Sequence, residues 1–244
     1  MTVLVAGASG ATGSKLVEQL VQKDYRVRVM VRSPEKLPNS WKNNVNIQII
    51  SASILELSDE ELKNYTQNCD AVVSCLGHNL TWKGVYGQPR KLVTEATQRL
   101  CNAIKKNNSK QSVKFILMNT TGNRNRDINE PISFAQKLVI GLLRLILPPH
   151  VDNEKAADYL RTQIGQNNKS IEWVAVRPDN LINEDKVSEY EIYPSPIRSA
   201  IFNSGQTSRI NVGHFMASLV SNDTFWNNWR GQMPVIYNTS SLTK

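Results

Sequence analysis

The fold of this chain is decided close to its start, by the residues Thr2-Val3-Leu4-Val5-Ala6-Gly7-Ala8-Ser9-Gly10-Ala11-Thr12-Gly13. The apolar run at Thr2–Ala6 predicts a buried strand, and the periodic pattern that begins at Ser14 predicts a helix. Between them stand three glycines spaced G-x-x-G-x-x-G, in the strand–loop–helix context that a dinucleotide phosphate site requires. Glycine lets the backbone turn sharply and approach a pyrophosphate, and the helix N-terminus adds free N–H groups. The alternative interpretation is a tight turn that binds nothing.

Strand patterns alternate with helical patterns along the rest of the chain. This alternation predicts an α/β fold of the Rossmann type, with a doubly wound, mostly parallel sheet and helices on both faces. We expect one domain over residues 1–244, in which residues 179–210 and the C-terminal helix contribute a small substrate lobe. Residues 239–244 predict a frayed end. The further strands are expected at Tyr25–Val31, Asn46–Ile50, Asp70–Cys75, Val113–Met118, Ile171–Val176 and Pro234–Tyr237.

Composition and charge narrow the classes of function. Hydrophobic residues make up 40% of the 244 residues and charged residues 20%, and the formal net charge is +8. Such an excess favours anionic ligands. The basic residues are scattered, so no nucleic-acid site is predicted. Three histidines far apart in sequence predict no metal site. The three cysteines lack C-x-x-C spacing and no leader precedes the first strand, so we expect a cytoplasmic protein.

Residues 132–147 form a very apolar stretch that predicts a helix ending at Pro148-Pro149. The stretch is shorter than the roughly 20 residues of a membrane span, and it contains Lys137 and Arg144. We therefore expect no membrane span. The helix is expected to be buried, or to form a homodimer or partner interface.

The end of the second strand carries the residue that selects the cofactor in a Rossmann-type site. An acidic residue there binds the ribose 2′-hydroxyl of NAD, whereas a basic residue accommodates the 2′-phosphate of NADP. This chain has Arg32 followed by Ser33 and Lys36, and no Asp or Glu between Tyr25 and Pro34. Arginine suits a phosphate bidentately. The pattern predicts NADP(H) over NAD(H); a solvated surface arginine is the alternative.

Two more strands should end at the reacting centre, because ligands lie outside the carboxyl ends of parallel strands. The fourth strand runs into Cys75-Leu76-Gly77-His78, and the fifth ends in Asn119-Thr120-Thr121-Gly122. Thr120 and Thr121 can supply a hydroxyl to a substrate, or they can bond locally to the backbone of the turn.

These residues resemble a known family. The Gly7–Gly13 loop, Arg32, Asn119-Thr120-Thr121 and Val174-Ala175-Val176-Arg177-Pro178 are similar to the atypical short-chain dehydrogenase/reductases. Within that group the chain resembles the NAD(P)H-binding branch with biliverdin-IXβ reductase (flavin reductase) and nitrogen-metabolite-repression regulators. Gly213-His214-Phe215-Met216 resembles the flavin reductases specifically. The loop and the resemblance together imply that the cofactor-binding residues are Gly7, Ser9, Gly10, Ala11, Thr12, Gly13, Arg32, Ser33, Lys36, Ser53, Ile54, Cys75, Leu76, Gly77, Asn119, Lys155, Arg177 and Pro178.

The wider superfamily uses a Tyr-x-x-x-Lys pair, and this chain keeps only half of it. Lys155 stands at the position of the lysine, but Val151 stands at that of the tyrosine. Valine cannot carry a proton, so alcohol or ketone chemistry is not expected. Hydride transfer remains open, because the cofactor supplies that chemistry and the protein supplies orientation. The candidate catalytic or orienting residues are Thr120, Thr121, Lys155 and His78, with His150 as a further proton donor.

Three functions follow from these patterns. The first is an NADPH-dependent reductase that transfers hydride to a planar conjugated acceptor such as a flavin, a quinone or a tetrapyrrole-like molecule. The second is a non-catalytic NADP(H)-binding redox sensor or assembly factor that acts on a protein partner through the helix at 132–147. The third, a sugar-nucleotide epimerase, is disfavoured by the missing tyrosine.

Overall fold

The computed structural model describes residues 1–78 and 81–241. Its strands are β1 Thr2–Ala6, β2 Arg26–Val31, β3 Ile47–Ser51, β4 Ala71–Ser74, β5 Val113–Met118, β6 Ile171–Pro178, β7 Asn180–Ile182, β8 Tyr190–Tyr193, β9 Gln206–Ser208 and β10 Val235–Asn238. Its helices are α1 Ala11–Gln22, α2 Asn39–Lys42, α3 Asp59–Thr66, α4 Trp82–Tyr86, α5 Leu92–Lys106, α6 Phe134–Ile146, α7 Pro148–Tyr159, α8 Arg209–Ser221 and α9 Asp223–Trp229.

Eight of the strands form one sheet in the order β3-β2-β1-β4-β5-β6-β10-β8. All neighbouring pairs are parallel except β10 and β8, which are antiparallel. The chain builds outward from β1 to β3, then returns to place β4 on the other side of β1. Ligands of open α/β sheets bind at such a switch point, outside the carboxyl ends of the strands. The predicted Rossmann-type fold is confirmed.

The core lies on both faces of this sheet. Leu4 and Ala6 of β1 join one apolar cluster, and Val3 and Val5 join the other. Successive side chains of a strand point to opposite faces, so a strand that is apolar throughout must be covered on both sides. On one face α3, α5 and α7 supply buried residues, and on the other α1 and α8 do so.

Helix α8 packs directly against α1, the helix that follows the glycine loop. A Cβ atom added at Gly213 would lie 2.9 Å from the backbone nitrogen of Leu16, closer than real contacts allow. Gln19 Nε2 also donates to the Ile210 carbonyl oxygen at 3.0 Å. The segment Gly213–Met216 therefore has a packing role in positioning α1.

The region at 179–210 contains more strand than its loop-rich sequence predicted. Strands β7 and β9 pair in parallel, and β8 extends the main sheet beside β10. Strands of three or four residues leave too few positions for an alternating pattern, which is why sequence periodicity missed them. Thr239–Ser241 form a 3₁₀ turn, with Ser241 buried. The rest of the predicted frayed end lies outside the described residues.

The apolar stretch at 132–147 becomes α6, which ends at Ile146, just before Pro148-Pro149 as predicted. Pro148 does not terminate the structure; it opens α7, a position that proline favours in a helix. The axes of the two helices differ by 105°. Within the described ranges, no single helix is long and apolar enough to cross a membrane, and only this bent pair meets the length and composition test.

Candidate functional site

The glycine loop is folded tightly between β4 and α1. Gly7 has φ +77°, and a Cβ there would lie 2.7 Å from the Cys75 carbonyl oxygen. A Cβ at Gly13 would lie 2.2 Å from the Gly7 carbonyl oxygen. Gly10 N–H donates to that same oxygen at 3.0 Å. Two of the glycines are therefore required by the path of the backbone itself, whether or not a ligand binds.

The start of α1 is the part of the loop that points to an anion. Gly10 is the N-cap residue and has no side chain to cap the helix, and no acidic residue occurs in the first turn. The first N–H groups of an α-helix have no partner within the helix. The N–H groups of Ala11, Thr12 and Gly13 thus combine with the positive end of the helix dipole. This terminus fits the pyrophosphate of a dinucleotide.

A cleft of about 690 Å³ opens from this helix terminus along the carboxyl ends of β1 to β4. It brings together most of the residues predicted to bind the cofactor: Gly7, Ser9, Gly10, Arg32, Ser33, Lys36, Ser53, Ile54, Cys75, Leu76 and Gly77. The sequence analysis missed several lining residues that have no recognisable motif, namely Ala6, Met30, Val31, Ala52, Leu55, Glu56, Gln88, Pro89 and Leu92.

The charges in this cleft favour an anionic ligand. Arg32 and Lys36 are both exposed, and neither forms an ion pair with any described residue. Glu56, also exposed, is the one carboxylate among the residues that line the cleft. Two cations thus oppose one anion at the end where the adenosine ribose of a dinucleotide would lie.

Cys75 packs in the cleft wall as an apolar group. Burial raises the pKa of its thiol to about 12, so the sulfur stays protonated at neutral pH. The side chain therefore supplies shape to the cleft and no nucleophile.

Asn119 and Thr121 are held by the protein at the end of β5. Asn119 Nδ2 donates to the Asn153 carbonyl oxygen at 3.0 Å, and its Oδ1 accepts from Thr120 N–H at 2.9 Å. The Thr121 hydroxyl donates to Asp179 Oδ1 at 3.1 Å. These bonds tie β5 to α7 and to the turn after β6, and the Thr121 hydroxyl uses its one donor on Asp179. This corrects the prediction that Thr121 supplies a catalytic hydroxyl.

The Thr120 hydroxyl has a different environment. Its oxygen accepts a bond from Gly122 N–H at 3.3 Å. Accepting that bond uses only a lone pair of the oxygen, so the hydroxyl can still donate a hydrogen bond of its own. Thr120 is thus the threonine of this turn that can still donate a hydrogen bond at the carboxyl end of β5.

His78 is oriented by a buried carboxylate. Its Nε2 lies 2.7 Å from Asp152 Oδ2, and both side chains are nearly inaccessible to solvent. Asp152 also accepts from the backbone N–H groups of Val93 and Thr94, where it caps α5. Burial alone would raise the pKa of Asp152, but the hydrogen bonds from His78, Thr94 and Val93 outweigh it and lower the pKa. The carboxylate therefore holds His78 against α5, close behind the cleft residue Gly77.

His150, in the first turn of α7, packs over Gly122. A Cβ built at Gly122 would meet the His150 ring at 3.5 Å. Its Nε2 lies 3.5 Å from Glu154 Oε1, and Arg144 Nη2 contacts the same oxygen at 2.8 Å. Burial of Glu154 is outweighed by its interactions with His150 and Arg144, which lower its pKa to about 2. The ionised Glu154 lies beside the His150 imidazole, whose Nε2 has no hydrogen-bond partner among the described residues.

Lys155, the retained lysine of the Tyr-x-x-x-Lys pattern, is exposed on α7. It is not among the residues that line the cleft. Its predicted contact with a nicotinamide ribose stays a prediction.

Arg177 corrects another prediction. It was expected to contact the cofactor, but its side chain is 0% exposed. Its Nη2 and Nη1 bond to the two carboxylate oxygens of Glu130 at 2.6 and 3.1 Å, and its Nε donates to the Met233 carbonyl oxygen at 2.6 Å. The guanidinium is thus held by the loop at 123–131 and by the carbonyl oxygens of Met233 and Pro194. Pro178 is also buried, and its carbonyl accepts from Thr121 N–H at 3.2 Å.

A second cavity, which we call the lobe cavity, begins where β5 ends. Its volume is about 400 Å³. It lies between the turn at Thr121-Gly122, the loop at 124–133, α6 and the segment at 196–199. Because β4 and β5 are adjacent strands, this cavity lies at the same edge of the sheet as the cofactor cleft. Sequence analysis gave the loop at 123–131 no role, since its residues match no motif.

Comparison with known proteins agrees with this geometry. The family model described as NAD(P)H-binding matches residues 7–223. An uncharacterised chloroplastic protein of Arabidopsis thaliana is 27% identical over 192 residues, which are 79% of this chain and 63% of that protein. The chain thus spans less than two thirds of the length of this relative.

Two solved structures share the fold over nearly the whole chain. One is a wide-type short-chain dehydrogenase/reductase from Veillonella parvula in complex with NADP, with 16% identity and a TM-score of 0.69 over 98% of this chain and 95% of that one. The other is a candidate NADH-flavin reductase from Streptococcus pneumoniae, with 17% identity and a TM-score of 0.66 over 98% of this chain and 100% of that one. The chain belongs to the NAD(P)H-binding family.

Proposed function

We propose that the protein is an NADPH-dependent reductase that transfers hydride to a planar conjugated acceptor such as a flavin, a quinone or a tetrapyrrole-like molecule. The observation that carries this proposal is the cleft of about 690 Å³ that joins the bare N-terminus of α1 to Arg32 and Lys36 and ends at Gly77. The lobe cavity, at the same edge of the sheet, provides a separate place for an acceptor.

The preference for NADPH rests on charge. A 2′-phosphate carries negative charge that a ribose hydroxyl lacks, and arginine binds phosphate bidentately. Arg32 and Lys36 have no carboxylate partner among the described residues, so both can meet that phosphate without breaking an ion pair. The single carboxylate of the cleft, Glu56, reduces this preference without reversing its sign.

NADPH, when bound, supplies a hydride, which carries two electrons and one proton to a ring atom of the acceptor. The acceptor takes its second proton from water or from a side chain of the protein. Thr120 can donate a hydrogen bond, and the His150 ring packs near it over Gly122. Val151 cannot donate a proton. Its presence therefore suits an acceptor that takes a proton easily from water better than it suits a ketone.

Two measurements test the proposal. Quenching of nicotinamide fluorescence gives the affinities for NADPH and NADH, and NADPH should bind at least about tenfold more tightly, the weight of one charge-assisted phosphate contact. Loss of the NADPH absorbance band is then followed with flavins, quinones and biliverdin. Equal affinity for the two nicotinamides would refute the NADPH preference. Tight binding with no oxidation by any acceptor would refute the reductase.

A specific observation favours the second candidate, a non-catalytic NADP(H)-binding protein that acts through a partner. Helix α6 presents an exposed apolar stripe, with Phe134 at 82%, Leu138 at 67%, Leu142 at 55% and Leu145 at 82% exposure. A contiguous apolar surface of this kind is typical of an interaction site. This candidate is favoured if NADPH binds tightly without turnover and if charged residues at Leu142 and Leu145 abolish a measured dimer or complex.

A further inference from the structure

We propose that the lobe cavity binds an acidic group of the acceptor, so that the substrate is a planar conjugated molecule bearing a carboxylate or a phosphate. This inference rests on the proposed function, because it assigns the substrate class of the same site. The conjugated ring would lie toward the cofactor cleft, and the acidic group would enter the cavity past Gly122.

Two arginines line the lobe cavity, and neither forms an ion pair with a carboxylate in the part of the chain that the structure describes. Arg124 Nη2 donates to the Glu130 carbonyl oxygen at 3.2 Å, and its Nε is buried without a hydrogen-bond partner in the described structure. Arg198 Nη2 donates to Asn203 Oδ1 at 2.7 Å, and its Nη1 donates to the Ser241 carbonyl oxygen. Among the described residues, every group that accepts a hydrogen bond from these two guanidinium groups is neutral, and the Asp179 carboxyl interacts with Arg198 through charge without an ion pair.

The carboxylate that lines the cavity is already neutralised. Glu130 is 4% exposed at its side chain and is engaged by Arg177 through both oxygens. Its Oε2 also accepts from Asn125 N–H at 2.9 Å. A carboxylate that is buried and paired in this way contributes little field to a neighbouring cavity, because the opposite charge lies within 3 Å. The charged groups that line the lobe cavity are therefore the two guanidinium groups and one carboxylate that is already paired.

Asp179 is the other carboxyl group near Arg198. It lies behind Thr121 and accepts bonds from the Thr121 hydroxyl and from Gly205 N–H. Burial raises its pKa. Asp179 is not among the residues that line the cavity, so it does not occupy the place of an incoming anion.

The rest of the cavity wall suits a ring or an alkyl stem. Pro131, Ile132, Ile140 and Ile197 supply apolar surface, and Ser133 and Gln136 supply hydrogen-bonding groups. Ligand pockets typically combine such apolar walls with a few polar anchors and span roughly 300–1,000 Å³. At about 400 Å³ the lobe cavity has room for one acidic substituent and part of a ring system.

A pair of flavins that differ only in a phosphate tests the inference. Riboflavin and FMN are titrated into the NADP⁺-loaded protein, with flavin fluorescence as the readout, so that no turnover is needed. FMN should bind at least about tenfold more tightly than riboflavin, the effect of one charge-assisted contact. Arg124→Met and Arg198→Met should each remove most of this difference and leave the affinity for riboflavin unchanged. Arg124→Lys should restore part of it.

Arg26→Met is the matched control. It removes the same charge from an exposed position at the start of β2, the opposite edge of the sheet. It should leave both flavin affinities unchanged. The inference is overturned if FMN and riboflavin bind equally, if neither binds, or if Arg26→Met weakens FMN as much as Arg124→Met does.

The outcomes separate this inference from the proposed function. A protein that selects FMN through Arg124 but never oxidises NADPH keeps the anionic site and loses the reductase. A protein that reduces riboflavin and FMN with the same KM keeps the reductase and loses the anionic site. Thermal unfolding of each variant shows whether Arg124→Met has merely lost its fold.

Discussion

The glycine loop leaves almost no space for a side chain at Gly13. A Cβ there would lie 2.2 Å from the Gly7 carbonyl oxygen, a backbone atom that cannot move without opening the loop. Gly13→Ala should therefore lower the thermal unfolding midpoint and weaken NADPH binding at least tenfold. Gly141→Ala on α6 is the control, because its Cβ meets nothing within 4 Å. It should leave the midpoint unchanged or raise it, since alanine is favoured over glycine in a helix by about 0.5–1 kcal/mol.

We expect the choice between NADPH and NADH to depend on Arg32. Arg32→Ser should weaken NADPH binding about tenfold or more and leave NADH binding almost unchanged, because only NADPH carries the phosphate. Fluorescence titration of both cofactors measures the two effects. A matched loss for both would mean that Arg32 acts on something other than the 2′-phosphate.

Glu154 makes stability depend on acid pH. Its pKa falls from the ordinary 4.5 to about 2 in the folded protein. A carboxyl group with a depressed folded-state pKa contributes stability above its unfolded pKa and loses it as the pH drops through the folded one. Denaturant unfolding at a series of pH values should show stability falling between about pH 4.5 and pH 2, and Glu154→Gln should flatten that fall. An unchanged slope in Glu154→Gln would contradict this account.

At the residue scale, sequence reasoning succeeded where the signal was local. Gly7, Gly10 and Arg32 occur at fixed distances from a strand, and the structure brings them into one cleft. It failed for Arg177 because the partner that holds this side chain, Glu130, lies 47 residues away in the chain. Spacing alone cannot show that a long-range buried ion pair has taken the arginine out of the site.

Among the elements, α6 shows the limit of composition as a guide. Its residues predict a helix, and a helix forms, but composition does not tell which apolar side chains are covered. Only Ile140 is buried, while the stripe from Phe134 to Leu145 faces outward. What covers a helix depends on the position of its neighbours, and here the 105° bend into α7 turns most of α6 away from the sheet.

This difference within one helix is measurable. Ile140→Ala should destabilise the protein by about 2–5 kcal/mol, the usual cost of truncating a buried aliphatic side chain. Leu142→Ala, two residues away and exposed, should change the free energy of unfolding by less than about 0.5 kcal/mol. Equal losses for the two variants in denaturant unfolding would mean that Leu142 is covered in solution, as in a dimer. Sedimentation of both variants would then give their masses in solution and show whether they form dimers.

For the whole molecule, the alternation of strands and helices was enough to predict the doubly wound sheet. Seven predicted strands, including β1, occur within a residue or two of their expected bounds. The order of strands and the antiparallel strand β8 were not predictable, because they depend on which edges meet after the chain has folded. The lobe cavity was missed for the same reason: four separate segments form it, and only the turn at Thr121-Gly122 belongs to a motif.

Cofactor binding should stabilise the whole molecule. The residues that line the cleft come from the first ninety-two of the chain, and they adjoin the sheet that both core clusters share. NADPH at a hundred times its Kd adds about 2.7 kcal/mol to the folded state. A chain of this size gains roughly 2–4 °C per kcal/mol, so the thermal midpoint should rise by about 5–10 °C. Differential scanning calorimetry tests this, with NADH at the same concentration giving a smaller rise.

The buried pair of Arg177 and Glu130 constrains how this protein can diverge. Removing either partner alone leaves an uncompensated charge in the interior, at a cost of about 3–5 kcal/mol, so the two positions should change together or not at all. Arg124 and Arg198 need not change together with a partner residue, because the groups that accept their hydrogen bonds are neutral. Single substitutions at the wall of the lobe cavity could therefore change which hydride acceptor binds there. The buried Arg177–Glu130 pair would meanwhile keep the loop at 123–131 in place.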